Sequence, residues 1–415
     1  MKNYVIIGNG VAAAGCIEGI RSVDKASGIT VVSAENHPVY CRPLISYYLE
    51  GKTTLQKMNY RADDFYSANG CDCLYGKQAV KIDKDNKRVI LDDNSEIPYD
   101  SLCIATGSSP FVPPFAGLDT VTDKFSFMTI DDTLALEGAI NKDSRVLIVG
   151  AGLIGLKCAE GIAEKVSQIT VCDLADRILS SILDNECAAI MQKHLENHGI
   201  RFMLGDTVDK FDGNTAVMKK GGVVDFDVVV LAVGVRANTA VVKDIGGRVN
   251  RGIIVDDKMR TSVDDIYAAG DCTEGNDISL GQKRVLAILP NAYMQGSCAG
   301  VNMAGGDAVF DNAIPMNSIG FFGLHAMTAG SYFAEGDGGE LYEEKTDAGI
   351  KRLYMKDGLL TGYIIIGDVN RAGIYTSLVR EKTPLSEVNV ELLKKNPTLA
   401  IFSSEICRKK LGGVI

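Results

Sequence analysis

The sequence predicts an α/β protein with two three-layer domains of parallel strands and helices and a third, C-terminal α+β domain. Two observations lead to this fold class. A short apolar strand, a glycine-rich turn and a helix begin at residue 4, and the same pattern recurs from residue 145. After Pro315 the chain changes to alternating strands and turns, which is typical of an antiparallel sheet. The length of 415 residues leaves room for two or three full-sized cores.

The first strand–turn–helix unit occupies residues 4–15, with the sequence YVIIGNGVAAAG. Residues 4–7 are apolar and mostly β-branched, which predicts a buried strand. Gly8, Gly10 and Ala13 form a GxGxxA turn that leads into helix-forming residues. Such a turn lets a pyrophosphate approach the backbone, and the helix N-terminus supplies unpaired N–H groups and partial positive charge. The unit therefore predicts a nucleotide site.

The second unit, RVLIVGAGLIG, occupies residues 145–155 and contains a complete GxGxxG turn. Its strand is predicted at residues 146–149, and Gly150, Gly152 and Gly155 occupy the three glycine positions. Because each turn serves one pyrophosphate, the duplication predicts two nucleotide sites in one chain.

An acidic residue follows the second strand of each unit. Glu35 comes just after the predicted strand 29–33, and Asp173 follows the predicted strand 169–172. A carboxylate at this position accepts hydrogen bonds from ribose hydroxyls. Asp173 would also repel a 2′-phosphate, which favours NADH over NADPH, although Arg177 nearby weakens that preference.

Three further apolar segments each end at glycine, namely LCIATG at 102–107, VVVLAVG at 228–234 and IYAAG at 266–270. Asp271 follows the last of them, where its carboxylate can meet a hydroxyl of a bound cofactor or cap a helix. Residues 79–80 lie in a predicted hairpin. Three prolines between residues 110 and 114 interrupt regular structure and mark a candidate domain boundary.

Composition narrows the class of protein. The net charge of -10 argues against nonspecific nucleic-acid binding, and no apolar run is long enough to span a bilayer. The first strand follows Met1 almost directly, and eleven cysteines lack the spacing of a disulfide scaffold, so we expect a cytoplasmic protein. We predict no metal site, because the four histidines form no ligand set and Cys71 and Cys73 are a lone pair.

The motifs together identify a resemblance to a known family. They are GNGVAA, VYCRPLIS, IATG, VLIVGAGLIGLKCAE, LADRIL, LAVGVR, RGIIVD, IYAAGDC and IIIGDVNRAGIYTSLVR. The chain resembles the FAD-dependent pyridine nucleotide–disulfide oxidoreductase superfamily over nearly its whole length. Within it, the pattern is most similar to the NADH:rubredoxin oxidoreductases and to the flavin modules of NADH-dependent nitrite reductases.

The resemblance implies two Rossmann-like dinucleotide-binding domains, one inserted in the other. The FAD-binding domain would comprise residues 1–115 and 245–314, and the NAD-binding domain residues 116–244. Residues 315–415 would form the C-terminal α+β domain. The resemblance assigns these residues to FAD: Gly8, Gly10, Ala13, Glu35, Arg42, Pro43, Val80, Ala105, Thr106, Gly107 and Asp271. It assigns these to NADH: Gly150, Gly152, Gly155, Asp173 and Gly234.

The sequence departs from the family pattern at three places. Lys157 stands where relatives usually have a glutamate that faces the nicotinamide carboxamide, so the geometry of the hydride donor is an open question. Tyr47 stands where many relatives have a lysine. No CxxxxC motif lies beside the predicted FAD site, which excludes the dithiol mechanism of glutathione-type reductases.

The resemblance implies an FAD-dependent NADH oxidoreductase that serves a small electron carrier such as a rubredoxin or a ferredoxin-like protein. It is compatible with a homodimer. Two alternatives stay open. Cys41 is a candidate redox residue of the kind found in NADH oxidases and coenzyme A-disulfide reductases, because Arg42 could stabilise its thiolate. Alternatively, the chain is the flavin-bearing subunit of a larger redox complex.

Overall fold

The computed structural model describes residues 1–332, 338–346 and 349–411, without the side chains of the last three. They form two compact units. The first comprises Met1–Arg177, Gly199–Asn276 and Lys283–Asp311, and the second comprises Ile178–His198, Asp277–Gln282 and Asn312–Ile415. The three domain boundaries expected from the sequence stay a prediction. Among the described residues, no helix combines the length and apolarity needed to cross a membrane.

The first unit contains two parallel five-stranded sheets, as the repeated sequence pattern predicted. The first sheet has the spatial order Ile266–Ala268, Ser101–Ile104, Asn3–Ile7, Gly28–Ser33 and Cys71–Tyr75. The second has the order Ile200–Leu204, Gln168–Asp173, Arg145–Val149, Val228–Leu231 and Lys124–Phe125. In both sheets the strand before the glycine turn is central and buried, because apolar residues cover both of its faces.

Smaller elements complete the first unit. Its other strands are Ala79–Asp83, Arg88–Leu91, Glu96–Pro98, Ser108–Pro110, Val208–Asp212, Thr215–Met218, Val223–Asp225, Val235–Ala237, Ile253–Ile254 and Thr273–Asp277, followed by Gln282–Arg284 at the boundary. Its α-helices are Val11–Val23, Ile45–Leu49, Phe65–Ala68, Ile130–Ala139, Leu153–Ile162, Ala240–Lys243 and Leu289–Met303. Short 3-10 helices span Arg42–Leu44, Gln56–Met58 and Leu118–Thr120.

Helices Val11–Val23 and Leu289–Met303 pack with their backbones in contact. A Cβ atom on Gly296 would lie 2.0 Å from the carbonyl oxygen of Ala12, and one on Gly300 would lie 2.1 Å from that of Cys16. Helix Val11–Val23 also has a glycine at this contact. A Cβ atom on Gly15 would lie 2.4 Å from the carbonyl oxygen of Tyr293. This close approach fixes the helix that follows the first glycine turn.

The second unit is built on an antiparallel sheet. Its strand order is Met316–Phe321, Leu324–Gly330, Leu359–Ile366, Gly349–Lys356 and Glu340–Thr346. Its α-helices are Asn185–Asn197, Ala372–Glu381, Val390–Lys395 and Ser404–Leu411, with 3-10 helices at Leu385–Glu387 and Leu399–Ile401. The α/β fold class, with a C-terminal α+β region, is therefore confirmed.

Helix Asn185–Asn197 belongs to this second unit although it follows the second fingerprint in sequence. Arg352 of the sheet reaches its N-terminal end, where a guanidinium nitrogen lies 2.5 Å from a carboxylate oxygen of Asp184. The Arg352 side chain is only 11% exposed and also pairs with Glu186 and Glu343. Ion pairs between residues distant in sequence therefore hold this helix to the sheet.

Candidate dinucleotide-binding sites

The first glycine turn packs directly against the segment that follows strand Ser101–Ile104. Gly8 has a φ angle of +109°, and a Cβ atom there would lie 2.0 Å from the carbonyl oxygen of Ala105. The turn consequently lies beside residues 105–107, which the family resemblance also assigned to FAD. Gly10 is the N-cap of helix Val11–Val23 and has no side-chain capping bond in the described structure. The N–H groups of the first helical turn are thus suited to a pyrophosphate.

Glu35 is held by side chains from its own loop. Its carboxylate accepts hydrogen bonds of 2.6 Å from the Tyr40 hydroxyl and 2.6 Å from Arg42 Nη2. Arg42 Nη1 also donates to the carbonyl oxygen of Met128 at 2.7 Å. A carboxylate has about four acceptor positions, so these two bonds leave capacity for ribose hydroxyls. Pro43 lies in the short helix that begins at Arg42.

Asp271 lies near Arg42 and Ser108. The Ser108 hydroxyl donates to its carboxylate at 3.3 Å. Burial raises the pKa of Asp271, while the Ser108 hydrogen bond and the positive charge of Arg42 counteract that rise. A carboxylate buried in this way gains from a hydroxyl donor. The assignment of Asp271 to FAD stays a prediction.

Thr106 and Gly107 are hydrogen-bonded to Asn238, which lies just beyond strand Val235–Ala237. The Thr106 hydroxyl donates to the carbonyl oxygen of Asn238 at 2.8 Å, and the Asn238 N–H donates to that of Gly107 at 2.9 Å. Strands Ser108–Pro110 and Val235–Ala237 pair in antiparallel fashion alongside. Sequence reasoning did not identify Asn238, because residues 106 and 238 are brought together only by the fold.

Val80 occupies a different environment. It lies in strand Ala79–Asp83 at an irregularity in the pairing register, and 49% of the residue is exposed. Its assignment to the adenine end of FAD stays a prediction.

The second glycine turn repeats the geometry of the first. Gly150 has a φ angle of +119°, and a Cβ atom there would lie 2.2 Å from the carbonyl oxygen of Ala232. A Cβ atom on Gly155 would lie 2.0 Å from the carbonyl oxygen of Gly150, so the helix packs closely on its own turn. Gly152 is the N-cap of helix Leu153–Ile162. Gly234 has a φ angle of +118° and lies just beyond Ala232.

Asp173 is held by backbone groups. Its carboxylate accepts hydrogen bonds from the N–H of Ala151 at 2.7 Å and from that of Ala175 at 2.8 Å. Ala151 belongs to the second glycine turn, so this acid and the turn lie together, and their assignment to NADH stays a prediction. Arg177 pairs with Asp176 at 3.1 Å.

Lys157 and Tyr47, two of the three departures from the family pattern, are in contact. The Lys157 ammonium lies 4.7 Å from the centroid of the Tyr47 ring and pairs with Glu160. The sequence indicated each departure separately, and the structure shows that they belong to one cluster.

Cys41 precedes Arg42 in the loop, and its assignment as a redox residue stays a prediction. Burial raises the pKa of Cys41, and a backbone hydrogen bond from Leu44 offsets only part of that rise. Arg42 is instead directed to Glu35 and Met128. Among the described residues, no group of three or more His, Cys, Asp or Glu side chains is arranged to hold a metal ion.

Two glycine turns of this type, each with an acid beyond the following strand, are typical of proteins that bind two dinucleotides. The model of the pyridine nucleotide-disulphide oxidoreductase family matches residues 2–296, and the chain belongs to this family. The resemblance stated from the sequence is confirmed. The chain is an NAD(H)-dependent flavoprotein oxidoreductase.

Two relatives and one solved structure each match more than nine-tenths of the chain. NADH-dependent phenylglyoxylate dehydrogenase subunit epsilon of Aromatoleum evansii is 32% identical over 393 residues, which cover 92% of each chain. The NAD(P)H nitrite reductase of Bacillus subtilis (strain 168) is 31% identical over 94% of this chain, which spans about half (48%) of that protein. A putidaredoxin reductase in covalent complex with putidaredoxin has the same fold, with a TM-score of 0.85, 23% identity and coverage of 95% of this chain and 96% of that one.

Proposed function

We propose that the protein is an FAD-dependent oxidoreductase that passes electrons between NAD(H) and a small electron-carrier protein of the rubredoxin or ferredoxin type. The observation that carries the proposal is the presence of both dinucleotide turns in one compact unit. The two regions are linked through Asn238, whose backbone and side chain form hydrogen bonds with Thr106 and whose backbone N–H donates to Gly107. This link supports a fixed geometry between two bound nucleotides.

In this proposal the first turn binds FAD and the second binds NADH. The N–H groups beyond Gly10 and Gly152 hold the two pyrophosphates, and Glu35 and Asp173 accept hydrogen bonds from the riboses. Asp271 binds a hydroxyl of the flavin side chain, and Arg42 and Pro43 line the ring. Bound FAD supplies a hydride acceptor that can release electrons singly. The chain itself orients the two rings and needs no side-chain general base.

Two considerations support a small electron-carrier protein as the partner, namely the chemistry of the flavin and a solved structure of the same fold. A flavin that receives a hydride and meets no cysteine pair must release its electrons to another acceptor, and a one-electron protein fits that need. The putidaredoxin reductase of the same fold is in covalent complex with its redox protein, putidaredoxin. The domain boundaries predicted from the sequence and a homodimeric state form part of the same proposal.

The test is stopped-flow spectroscopy of the purified, FAD-loaded protein. We expect NADH to bleach the flavin absorbance much faster than NADPH, and the reduced protein to transfer electrons to a rubredoxin or ferredoxin. A polypeptide that stays colourless after incubation with FAD would overturn the proposal. Bleaching by NADH without transfer to any small carrier would overturn only the choice of partner.

One observation favours a second candidate function. The relative that matches 92% of both chains is named as a subunit of a dehydrogenase. The chain would then transfer electrons to or from other subunits of a redox complex. The purified protein distinguishes the two functions in an assay with an artificial dye. Dye reduction by NADH supports the independent enzyme, whereas bound flavin that NADH fails to bleach supports the dependent subunit.

A further inference from the structure

The side chain of Asn9, the middle residue of the first glycine turn, is hydrogen-bonded on two sides. Its Nδ2 group donates to the carbonyl oxygen of His37 at 3.2 Å, and its Oδ1 atom accepts from the Tyr66 hydroxyl at 2.7 Å. The same hydroxyl accepts a hydrogen bond from the backbone N–H of Val39 at 2.9 Å. These bonds, which we call the Asn9–Tyr66 link, join the turn to residues 35–42, which we call the acid loop.

Tyr66 is itself anchored outside the turn and the acid loop. It lies in helix Phe65–Ala68, and its ring meets the Tyr75 ring edge to face, with centroids 6.3 Å apart. Tyr75 ends strand Cys71–Tyr75 at the edge of the first sheet. Burial raises the pKa of Tyr66, and its hydrogen bonds offset only part of that rise. The hydroxyl therefore stays protonated at neutral pH and keeps its proton for Asn9.

The turn and the acid loop are held in different ways. The turn is fixed by close packing, because a Cβ atom on Gly8 would lie 2.0 Å from the carbonyl oxygen of Ala105. On the side of Tyr66, in contrast, a cavity of about 320 Å³ opens beside the acid loop and is lined in part by Asn36, Val39 and Tyr66. Packing on this side leaves the loop room to shift, so its distance from the turn depends on the hydrogen bonds.

The second glycine turn joins its acid directly. Ala151, at the position that corresponds to Asn9, donates its backbone N–H to the Asp173 carboxylate at 2.7 Å. Glu35 accepts instead from two side chains of its own loop. The Asn9–Tyr66 link therefore supplies, through side chains, the connection between turn and acid that the second site makes through its backbone.

We infer that Tyr66 is a positioning residue for flavin binding, because through Asn9 and Val39 it holds the acid loop at the distance from the turn that a pyrophosphate and its ribose span. The inference rests on the proposed function, in which the first turn binds the pyrophosphate of FAD and Glu35 binds the ribose. When a site is in its binding conformation only part of the time, its apparent affinity falls by that fraction. Loss of the Tyr66 hydroxyl should therefore weaken those ligands that reach both the turn and the acid.

The test is equilibrium binding to the full chain after its FAD has been removed. FAD is titrated by the change in its fluorescence, and ADP and inorganic pyrophosphate are measured as competitors. ADP reaches both the turn and the acid, whereas pyrophosphate reaches only the turn. We expect Tyr66→Phe to weaken FAD and ADP by about tenfold each, as for the loss of a buried hydrogen bond, and to leave pyrophosphate within about twofold of native.

Two results would overturn the inference. Native affinity for FAD in Tyr66→Phe would show that the hydroxyl does not hold the site. Equal weakening of ADP and pyrophosphate would show that Tyr66 acts on the turn alone and does not set the distance to the acid.

Asn9→Ala tests the same link from the turn. This change removes both side-chain hydrogen bonds and gives the first turn an alanine, as the second turn has at position 151. It should weaken FAD by at least about tenfold. Because Tyr66 acts through Asn9, the double variant Asn9→Ala/Tyr66→Phe should bind FAD within about twofold of Asn9→Ala alone. Weakening by the product of the two single effects would contradict the link.

Tyr375→Phe is the matched control for a general loss of stability. The Tyr375 hydroxyl donates to the carbonyl oxygen of Leu393 at 2.9 Å, and the residue is buried in the second unit. This variant should lower the denaturation midpoint and leave FAD affinity native. If it weakens FAD as much as Tyr66→Phe does, the effect reports stability and the inference is wrong. A native chain that binds no FAD contradicts the proposed function instead, whereas native FAD affinity in the Tyr66 and Asn9 variants contradicts this inference alone.

Discussion

The two glycine turns have nearly the same backbone geometry but hold their acids in different ways. Glu35 is fixed by the side chains of Tyr40 and Arg42, and Arg42 is itself tied to the backbone at Met128. Asp173 is fixed by backbone N–H groups of the turn and of the loop that follows it. The first acid is thus held by side chains, whereas the second is held by backbone N–H groups.

This difference matches the different tasks proposed for the two sites. A cofactor that stays bound benefits from a rigid pocket whose polar groups are already oriented, because little ordering remains to oppose binding. A substrate that must leave after each turnover needs only a local acceptor and a helix N-terminus. We therefore expect changes at the first turn to affect flavin content, and changes at the second to affect NADH affinity.

The largest expected effect is that of Gly8→Ala. The added Cβ atom would meet the Ala105 carbonyl oxygen at 2.0 Å, and φ of +109° is unfavourable for alanine. Overpacking and backbone strain should together lower the free energy of unfolding by about 3 kcal/mol, with loss of bound flavin. Chemical denaturation and the ratio of flavin to protein absorbance measure both effects. Native stability in this variant would contradict the close packing of the turn.

The pair Gly10→Ala and Gly152→Ala separates binding from folding. In the described structure nothing lies within 4 Å of a Cβ atom at either position, so we expect unfolding free energies within about 0.5 kcal/mol of native. The methyl group would occupy the predicted place of a pyrophosphate. Gly10→Ala should lose flavin, and Gly152→Ala should keep flavin but bind NADH at least tenfold more weakly. The reverse pattern would exchange the two site assignments.

A smaller effect is expected from Asp173→Ser. The serine keeps a polar group beyond the strand but removes the charge that repels a 2′-phosphate, so preference for NADH over NADPH should fall by about tenfold. The rates of flavin bleaching by the two nucleotides measure this change. Flavin content should stay native, because Asp173 is not among the residues proposed to bind FAD. A variant with unaltered preference would show that Asp173 does not contact the ribose.

The parts of the fold that sequence predicted are those set by local pattern. Strands Asn3–Ile7 and Arg145–Val149 and their turns could be predicted because apolar runs and glycines at fixed spacing act within a few residues. Contacts between residues that are distant in sequence leave no comparable pattern of residue types. The bond between Thr106 and Asn238 joins residues 132 positions apart. The attachment of helix Asn185–Asn197 to the second unit likewise depends on Arg352, far along the sequence.

The candidate site could likewise be predicted from sequence only in part. Glu35 and Asp173 could be predicted as acids beyond strands, but the different partners of the two carboxylates arise from loops with no shared pattern. Tyr47 and Lys157 could be recognised individually as departures from a family. Their contact became evident only once helices Ile45–Leu49 and Leu153–Ile162 were seen to pack together.

The smallest effect is expected from Cys41→Ser, which tests whether the first loop carries redox chemistry as well as flavin contacts. Burial raises the pKa of Cys41 above its ordinary value of 9.0, so the thiol stays protonated at neutral pH and is a poor nucleophile. Arg42 does not counter this, because its guanidinium is directed to Glu35 and Met128. Flavin bleaching by NADH and subsequent turnover should be the same in both proteins from pH 7 to 9. A loss of turnover beyond tenfold with normal bleaching would instead assign the electron acceptor to this thiol, and the loop of the first site would then serve catalysis directly.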